Sequence, residues 1–241
     1  MIHGPDGQKL SKRHGAVSVL EYDGLGYLPE AVINYLARLG WSHGDDEIFS
    51  REQLVAWFDG KHLSHSPSQL DFDKFRWVNH QYLKARDDQA LSGLVLARLQ
   101  ARLRGRELPA EEVERLPAIC GLWKDRASTL EELADLAAIF YLPPQPAPEA
   151  MAKHLTGPAS AGVDLLARRL AECDWNKDAI AACLKEVLGE AKLKMPQLAV
   201  PVRLLVFGRE QTPSVDAMLA QMPRAVVLER LAGAASGPSS N

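Results

Sequence analysis

The first residues able to do chemistry stand at the very start, in MIHGPDGQKLSKRHGA, residues 1–16. Gly4-Pro5-Asp6-Gly7 is turn chemistry. Lys9, Lys12 and Arg13 follow within five residues, flanked by His3 and His14 and closed by Gly15. Lysines on a glycine-flanked loop suit charge that develops on a triphosphate during displacement, because they stabilise it electrostatically and can close once substrate is bound. The spacing Lys9-Leu10-Ser11-Lys12 lets two ammonium groups reach one anion while Leu10 packs inward. A solvated basic segment has the same composition, so KLSKR alone leaves both readings open.

Further cations lie downstream. Between Lys74 and Arg106 there are eight basic residues against only Asp87 and Asp88. Arg98 and Arg102 stand one helical turn apart, either to grip phosphate or to form a solvated face. Arg126 follows a helical stretch and can present paired donors to a base or phosphate; a surface pairing with Asp125 or Glu132 is the other reading. Arg203 sits inside PVRLLVFG, where a charge is costly unless it meets an anion. An RNA base edge, a phosphate or a buried carboxylate would each serve. Trp41, Trp77 and Tyr82 are assigned to the core rather than to base stacking.

The elements that must carry these residues read as helices nearly throughout. PEAVINYLARL, 29–39, puts Val32, Ile33, Leu36 and Leu39 on one face, with Pro29 at its first turn and Gly40 as its stop. Ser50 with Gln53 makes a capping box ahead of Leu54, Val55, Trp57 and Phe58, and Ser128 with Glu131 repeats it ahead of Leu133. Helices are predicted over 72–83, along Leu91–Leu103, and over 159–172 and 177–188, the last capped by Asn176 and ended by Gly189. PPQPAP, 143–148, reads as a linker. The segment 198–208 is ambiguous between strand and helix; helix is preferred because no partner strand is nearby. Thr212-Pro213 starts a short helix, with Thr212 as its cap, and Pro223 starts the last one. No repeat and no alternating βαβ pattern is visible, so the fold class is all-α.

Composition sets the outer bounds. The 241 residues are 46% hydrophobic and 24% charged, with a net charge of −3, as in an ordinary globular protein. This mild acidity argues for specific contacts over a broad electrostatic field. No apolar run approaches the roughly 18 residues of a membrane span, and the N-terminus has no signal-like apolar region. Cys120, Cys173 and Cys183 are far apart and odd in number, which argues against a disulfide framework and suits a reducing cytoplasm. No metal-ligand spacing is visible.

HGPDGQKLSKRHGA resembles the KMSKS-type signature loop of class I aminoacyl-tRNA synthetases, in the form found in bacterial-type glutamyl-tRNA synthetases. INYLARLGWS (33–42) and SPSQLDFDKFRWVNHQYL (66–83) resemble that family's stem-contact region. LWKDRASTLEEL (122–133) and PVRLLVFG with TPSV (201–215) resemble its helical anticodon-binding region. The likeness runs over about residues 1–233, in the family's order. It implies a catalytic-loop remnant at 1–16, a stem-contact domain at 17–85 and two anticodon-binding helical bundles at 86–145 and 146–233; the tail at 234–241, AASGPSSN, reads as disordered from its own composition.

The resemblance implies ATP-dependent attachment of glutamate to its tRNA through a glutamyl-adenylate. Lys9 and Lys12 would stabilise the phosphate charge, supported by Ser11 and Arg13, with Leu10 in the same ATP-binding loop. Arg126 would read the first anticodon base, and Arg203, Thr212, Pro213 and Val215 would line the anticodon site. The nucleotide-binding α/β half that carries the HIGH-type motif is not among these residues. The chain is therefore expected to be a C-terminal fragment, inactive alone. It would bind tRNA for glutamate, and ATP with Mg and L-glutamate would be bound only with the missing half. No metal, cofactor or membrane partner is expected for the fragment, and the expected state is a cytoplasmic monomer. Its lysine loop, without a packing partner, is expected to be loose. A usual aromatic is replaced by Leu70. Two other classes remain: a stand-alone, non-catalytic tRNA-binding module, and a helical protein-interaction domain.

Overall fold

The computed structural model describes residues 2–4, 6–11, 18–61 and 63–233. Lys12 and Arg13 of the lysine loop and the tail expected at 234–241 lie outside the described residues. The fold is all-α. Fourteen α-helices and one 3₁₀ turn are accompanied by two two-residue strands among the described residues. The chain divides into two compact units, Met1–Leu136 and Ala137–Asn241.

In the first unit, β1 (Ile2–His3) precedes α1 (Val19–Gly24), α2 (Pro29–Arg38) and α3 (Arg51–Trp57). Next come β2 (Ser68–Gln69), α4 (Phe72–Ala85), α5 (Asp88–Arg102), α6 (Ala110–Glu114) and α7 (Leu116–Trp123). The 3₁₀ turn Lys124–Arg126 and α8 (Leu130–Ala138) complete the run. The core centres on Phe75, which is fully buried. Its ring stacks on Tyr35 at 4.3 Å and meets Tyr22 edge-on at 5.0 Å, the offset and edge geometries that aromatic quadrupoles favour. Leu70 is buried.

A buried asparagine corrects the expected face of α2. On α2 the inward residues are Ala31, Val32, Asn34 and Tyr35, while Ile33 is 45% exposed. Asn34 faces inward because its amide satisfies the chain after α2. It donates to the Glu47 carbonyl (2.9 Å) and accepts from the Phe49 N–H (3.0 Å) and the Tyr82 hydroxyl (2.6 Å). The single Tyr82 hydroxyl proton is shared between Asn34 and the Phe49 carbonyl, each 2.6 Å away, and burial pushes its phenol up to about 12. The α3 capping box of Ser50 and Gln53 is present, but α3 buries none of its residues, and Val55 is 73% exposed. Trp57 instead stacks on His43 at 4.1 Å. Trp41 is core, whereas Trp77 is 41% exposed with the Lys74 ammonium 4.0 Å above its ring. It sits one position off the inward stripe of Phe75 and Val78.

The second unit holds α9 (Pro148–His154), α10 (Gly157–Glu172), α11 (Lys177–Glu190), α12 (Met195–Phe207), α13 (Val215–Ala220) and α14 (Arg224–Ala232). The ambiguous stretch is helical: α12 buries eight of its residues, Leu198, Val202 and Phe207 among them, and tolerates Pro201 inside. A helix buried on nearly all sides shows no clean amphipathic period, which is why the sequence reads both ways. Asn176 caps α11 by accepting from the Ala179 N–H (3.0 Å), but the helix runs past Gly189 to Glu190. At the end of α12, Gly208 takes a left-handed φ of 70°, and a Cβ there would lie 2.8 Å from the Gln145 nitrogen. Only glycine fits both conditions.

Candidate nucleic-acid interface

The described part of the opening segment, through Leu10, forms a hairpin. The Gly4 N–H donates to the Gln8 carbonyl (2.8 Å), Gly7 to Gly4 (3.0 Å) and Leu10 to Ile2 (3.0 Å). The Asp6 carboxylate accepts from the Gln8 N–H. Lys9 pairs with His3 across the hairpin and is exposed, while Leu10 and Ser11 are half-buried. β1 pairs in parallel with β2, Ile2 opposite Ser68, and the Leu70 N–H donates to the His3 carbonyl at 2.8 Å. The lysine loop thus starts from a fixed root.

Arg126 is the last residue of the 3₁₀ turn between α7 and α8, and it is exposed. The backbone on its C-terminal side is held from three directions. Asn79 of α4, fully buried, donates to the Ser128 carbonyl (2.6 Å) and accepts from the Leu28 N–H (2.8 Å). The Leu130 N–H donates to the Gly26 carbonyl (2.8 Å). Gly26 has φ 81°, and a Cβ there would sit 2.6 Å from the Glu131 nitrogen.

The cap of α8 is shifted by one from the expected Ser128–Glu131 box. The Thr129 hydroxyl accepts from the Glu132 N–H (3.2 Å), and the Glu132 carboxylate accepts from the Ser128 N–H (2.8 Å). Glu131 cannot serve as the box residue because Arg98 and Arg102 hold it, at 2.7 and 2.6 Å. The pairings considered for Arg126 are also absent: Asp125 faces Lys84 (3.8 Å) and Glu132 pairs with Arg76. Among the described residues, Arg126 makes no ion pair. Its guanidinium lies 6.0 Å from the Trp123 ring centroid.

Within the basic window 74–106 every cation but the exposed Arg104 is paired with an acid among the described residues, so Arg98 and Arg102 are neither phosphate grips nor a solvated face. Arg98 also reaches Asp23, and Arg102 reaches Asp135 at 2.5 Å. Burial works against the Arg102 charge, but its bonds to Asp135 and Glu131 outweigh that and hold its pKa above the ordinary value. Lys74 pairs with Glu47, Arg86 with Glu30 and Arg106 with Glu112. The acids come from distant parts of the chain, out of sight of a local count.

In the second unit the structure brings Arg203 and Thr212 together. The Arg203 Nε donates to the Thr212 hydroxyl (3.0 Å), which itself donates to the Pro213 carbonyl (2.8 Å). Thr212 is buried and does not cap α13, whose N-cap position is Ser214. Its hydroxyl is already committed, which is the physical reason for the correction. Pro213 is half-buried, and Val215 is buried in the core. Sequence reasoning missed Arg230, which donates to the carbonyls of Val206 (2.6 Å) and Leu142 (2.8 Å) and closes the open end of α12. Burial lowers its pKa. A lone arginine on a short terminal helix gave no signal of this.

No group of three or more His, Cys, Asp or Glu side chains among the described residues could hold a metal. No helix among them is long and apolar enough to cross a membrane.

The anticodon binding domain family matches residues 91–235, more than half of the chain. The chain belongs to that family. Residues 1–77 match a second family, the catalytic domain of class I tRNA synthetases (E and Q). Glutamate–tRNA ligase of Bordetella parapertussis is 56% identical over 232 residues, 96% of this chain and 47% of that protein. The Thiobacillus denitrificans ligase is 52% identical over 237 residues, 97% and 49%. The chain spans about half the length of these curated relatives. The resemblance drawn from the motifs therefore holds: this anticodon-binding-domain protein is a homologue of glutamate–tRNA ligases. Its fold is shared with the crystal structure of a glutamate tRNA ligase from Elizabethkingia meningosepticum in complex with its amino acid. That match has a TM-score of 0.85 and 24% identity, and covers 98% of this chain and 50% of that one. The Elizabethkingia anophelis glutamate–tRNA synthetase matches with a TM-score of 0.83.

Proposed function

We propose that this chain is the tRNA-binding portion of a glutamate–tRNA ligase and that it holds the anticodon loop of tRNA for glutamate. The observation that carries the reading is Arg126. It lies within the matched anticodon-binding region, at the end of a turn whose flank is clamped by Asn79 and Gly26, with its guanidinium exposed and outside any ion pair among the described residues. A fixed backbone with an available fork of donors suits reading a base edge. Arg203, Thr212 and Pro213 form a second contact region, in which Val215 is a buried support.

In the whole ligase, Lys9 and Lys12, with Leu10, Ser11 and Arg13, would stabilise phosphate charge as the glutamyl-adenylate forms. The same reading brings ATP with Mg and L-glutamate as needs of the whole enzyme, a monomeric state and a cytoplasmic location. It keeps 17–85 as the stem-contact part and 86–145 and 146–233 as the anticodon-binding parts.

The test is a titration of the 241-residue chain with tRNA for glutamate and with a copy altered at the first anticodon base. A preference of about tenfold or more, the scale of one charge-assisted hydrogen bond, is the expected result. Arg126→Gln should erase it. Equal binding of both tRNAs, or none, would overturn the reading.

A further inference from the structure

We propose that Cys173 and Cys183 form a reversible thiol–disulfide couple, a modification site toward the turn end of the α10–α11 hairpin. The sequence reads these cysteines as separate, and the fold brings them together. Arg169 on α10 reaches Glu186 (3.3 Å) and Glu190 (2.9 Å) on α11, which sets the antiparallel register. One turn further along α10, from 169 to 173, the facing position moves one turn back along α11, from 186 toward 183. The connection between them is short, because Cys173 ends α10 and Asn176 already caps α11.

The two thiols sense each other. Burial is the first cause that pushes the Cys183 thiol up to about 11, and the Cys173 side chain is the next; Glu186 adds to it and Arg169 opposes it. Cys173 is half-buried, with its sulfur 3.8 Å from the Leu170 carbonyl oxygen, while Cys183 is buried. A peroxide therefore meets Cys173 first. Its thiolate attacks hydrogen peroxide to give a sulfenic acid, expelling hydroxide that leaves as water. The Cys183 sulfur then displaces the sulfenic oxygen, forming the S–S bond and releasing a second water. Two electrons pass from the thiol pair to the peroxide. Cys120 is fully buried, with its thiol pushed up to about 12 by burial and then by Asp88, and serves as an internal control.

The experiment exposes the folded chain to hydrogen peroxide, then unfolds it in an alkylating reagent and reads the mass before and after digestion. Alkylatable thiols should fall from three to one. A peptide joining Cys173 to Cys183 should appear, and dithiothreitol should restore all three. Cys173→Ser should give no intramolecular linkage at the same dose. Because Cys173 lies at a helix end outside the core, this variant carries the test even if Cys183→Ser fails to fold. Three thiols still alkylatable, a linkage through Cys120, or oxidation of Cys173 that stops at the sulfinic acid would each overturn the proposal. The readout needs no tRNA, so it stands apart from the anticodon reading.

Discussion

Arg126 and Arg203 carry the same guanidinium into opposite settings. Arg126 ends a short turn whose flanking backbone is held by the Asn79 and Gly26 bonds, while its side chain is exposed and makes no ion pair among the described residues. Arg203 projects from α12, a helix buried on most of its surface, and its side chain is bonded to the Thr212 hydroxyl. In the first case the scaffold is tied and the head is available. In the second the head is part of the scaffold, and using it on RNA means exchanging a bond already made. The difference teaches that the Arg126 side chain is separable from folding, whereas at Arg203 side chain and fold are joined; on the proposed reading, the same holds for what each would contribute to binding.

Substitutions can break this contrast in order of effect. Gly26→Ala should cost most, about 3 kcal/mol in denaturant unfolding, because it combines a left-handed backbone with a Cβ driven into the start of α8. Loss under about 1 kcal/mol would mean that the Arg126 turn is not anchored there. Asn79→Ala comes next. It strands the Leu28 N–H and the Ser128 carbonyl, and a loss of about 2–3 kcal/mol is expected; chemical denaturation and tRNA binding should both register it. Thr212→Val should cost about 1 kcal/mol and weaken tRNA binding with it, since it releases Arg203. Unchanged stability with lost binding would show that the second region is as separable as the first. Arg126→Gln should leave stability within about 0.5 kcal/mol while removing the anticodon preference. A marked fall in its melting temperature would end the contrast from the other side.

The helices were legible wherever one face is apolar and the other polar, as in α2, α4 and α11. What the sequence hid was set by partners far along the chain. Asn34 and Asn79 look like surface residues until the loops they satisfy are seen. The α8 cap moves from Ser128 to Thr129 because Glu131 is drawn off by two arginines from another helix. The basic stretch 74–106, Arg104 apart, loses its apparent charge to Asp23, Glu30, Glu47, Glu112, Asp125, Glu131, Glu132 and Asp135. Of the candidate site, the motifs only nominate the two arginines; whether each is available or committed depends on packing alone.

The two-residue pairing of Ile2–His3 with Ser68–Gln69 has a consequence in time. It closes a loop of more than sixty residues, and such a closure is slow and entropically costly compared with any helix inside it. The root of the lysine loop therefore falls into place only after α1, α2 and α3 have formed between its two strands. A polypeptide that has not yet reached Leu70 lacks the donor to the His3 carbonyl. The first residues of the chain are thus among the last to find their positions.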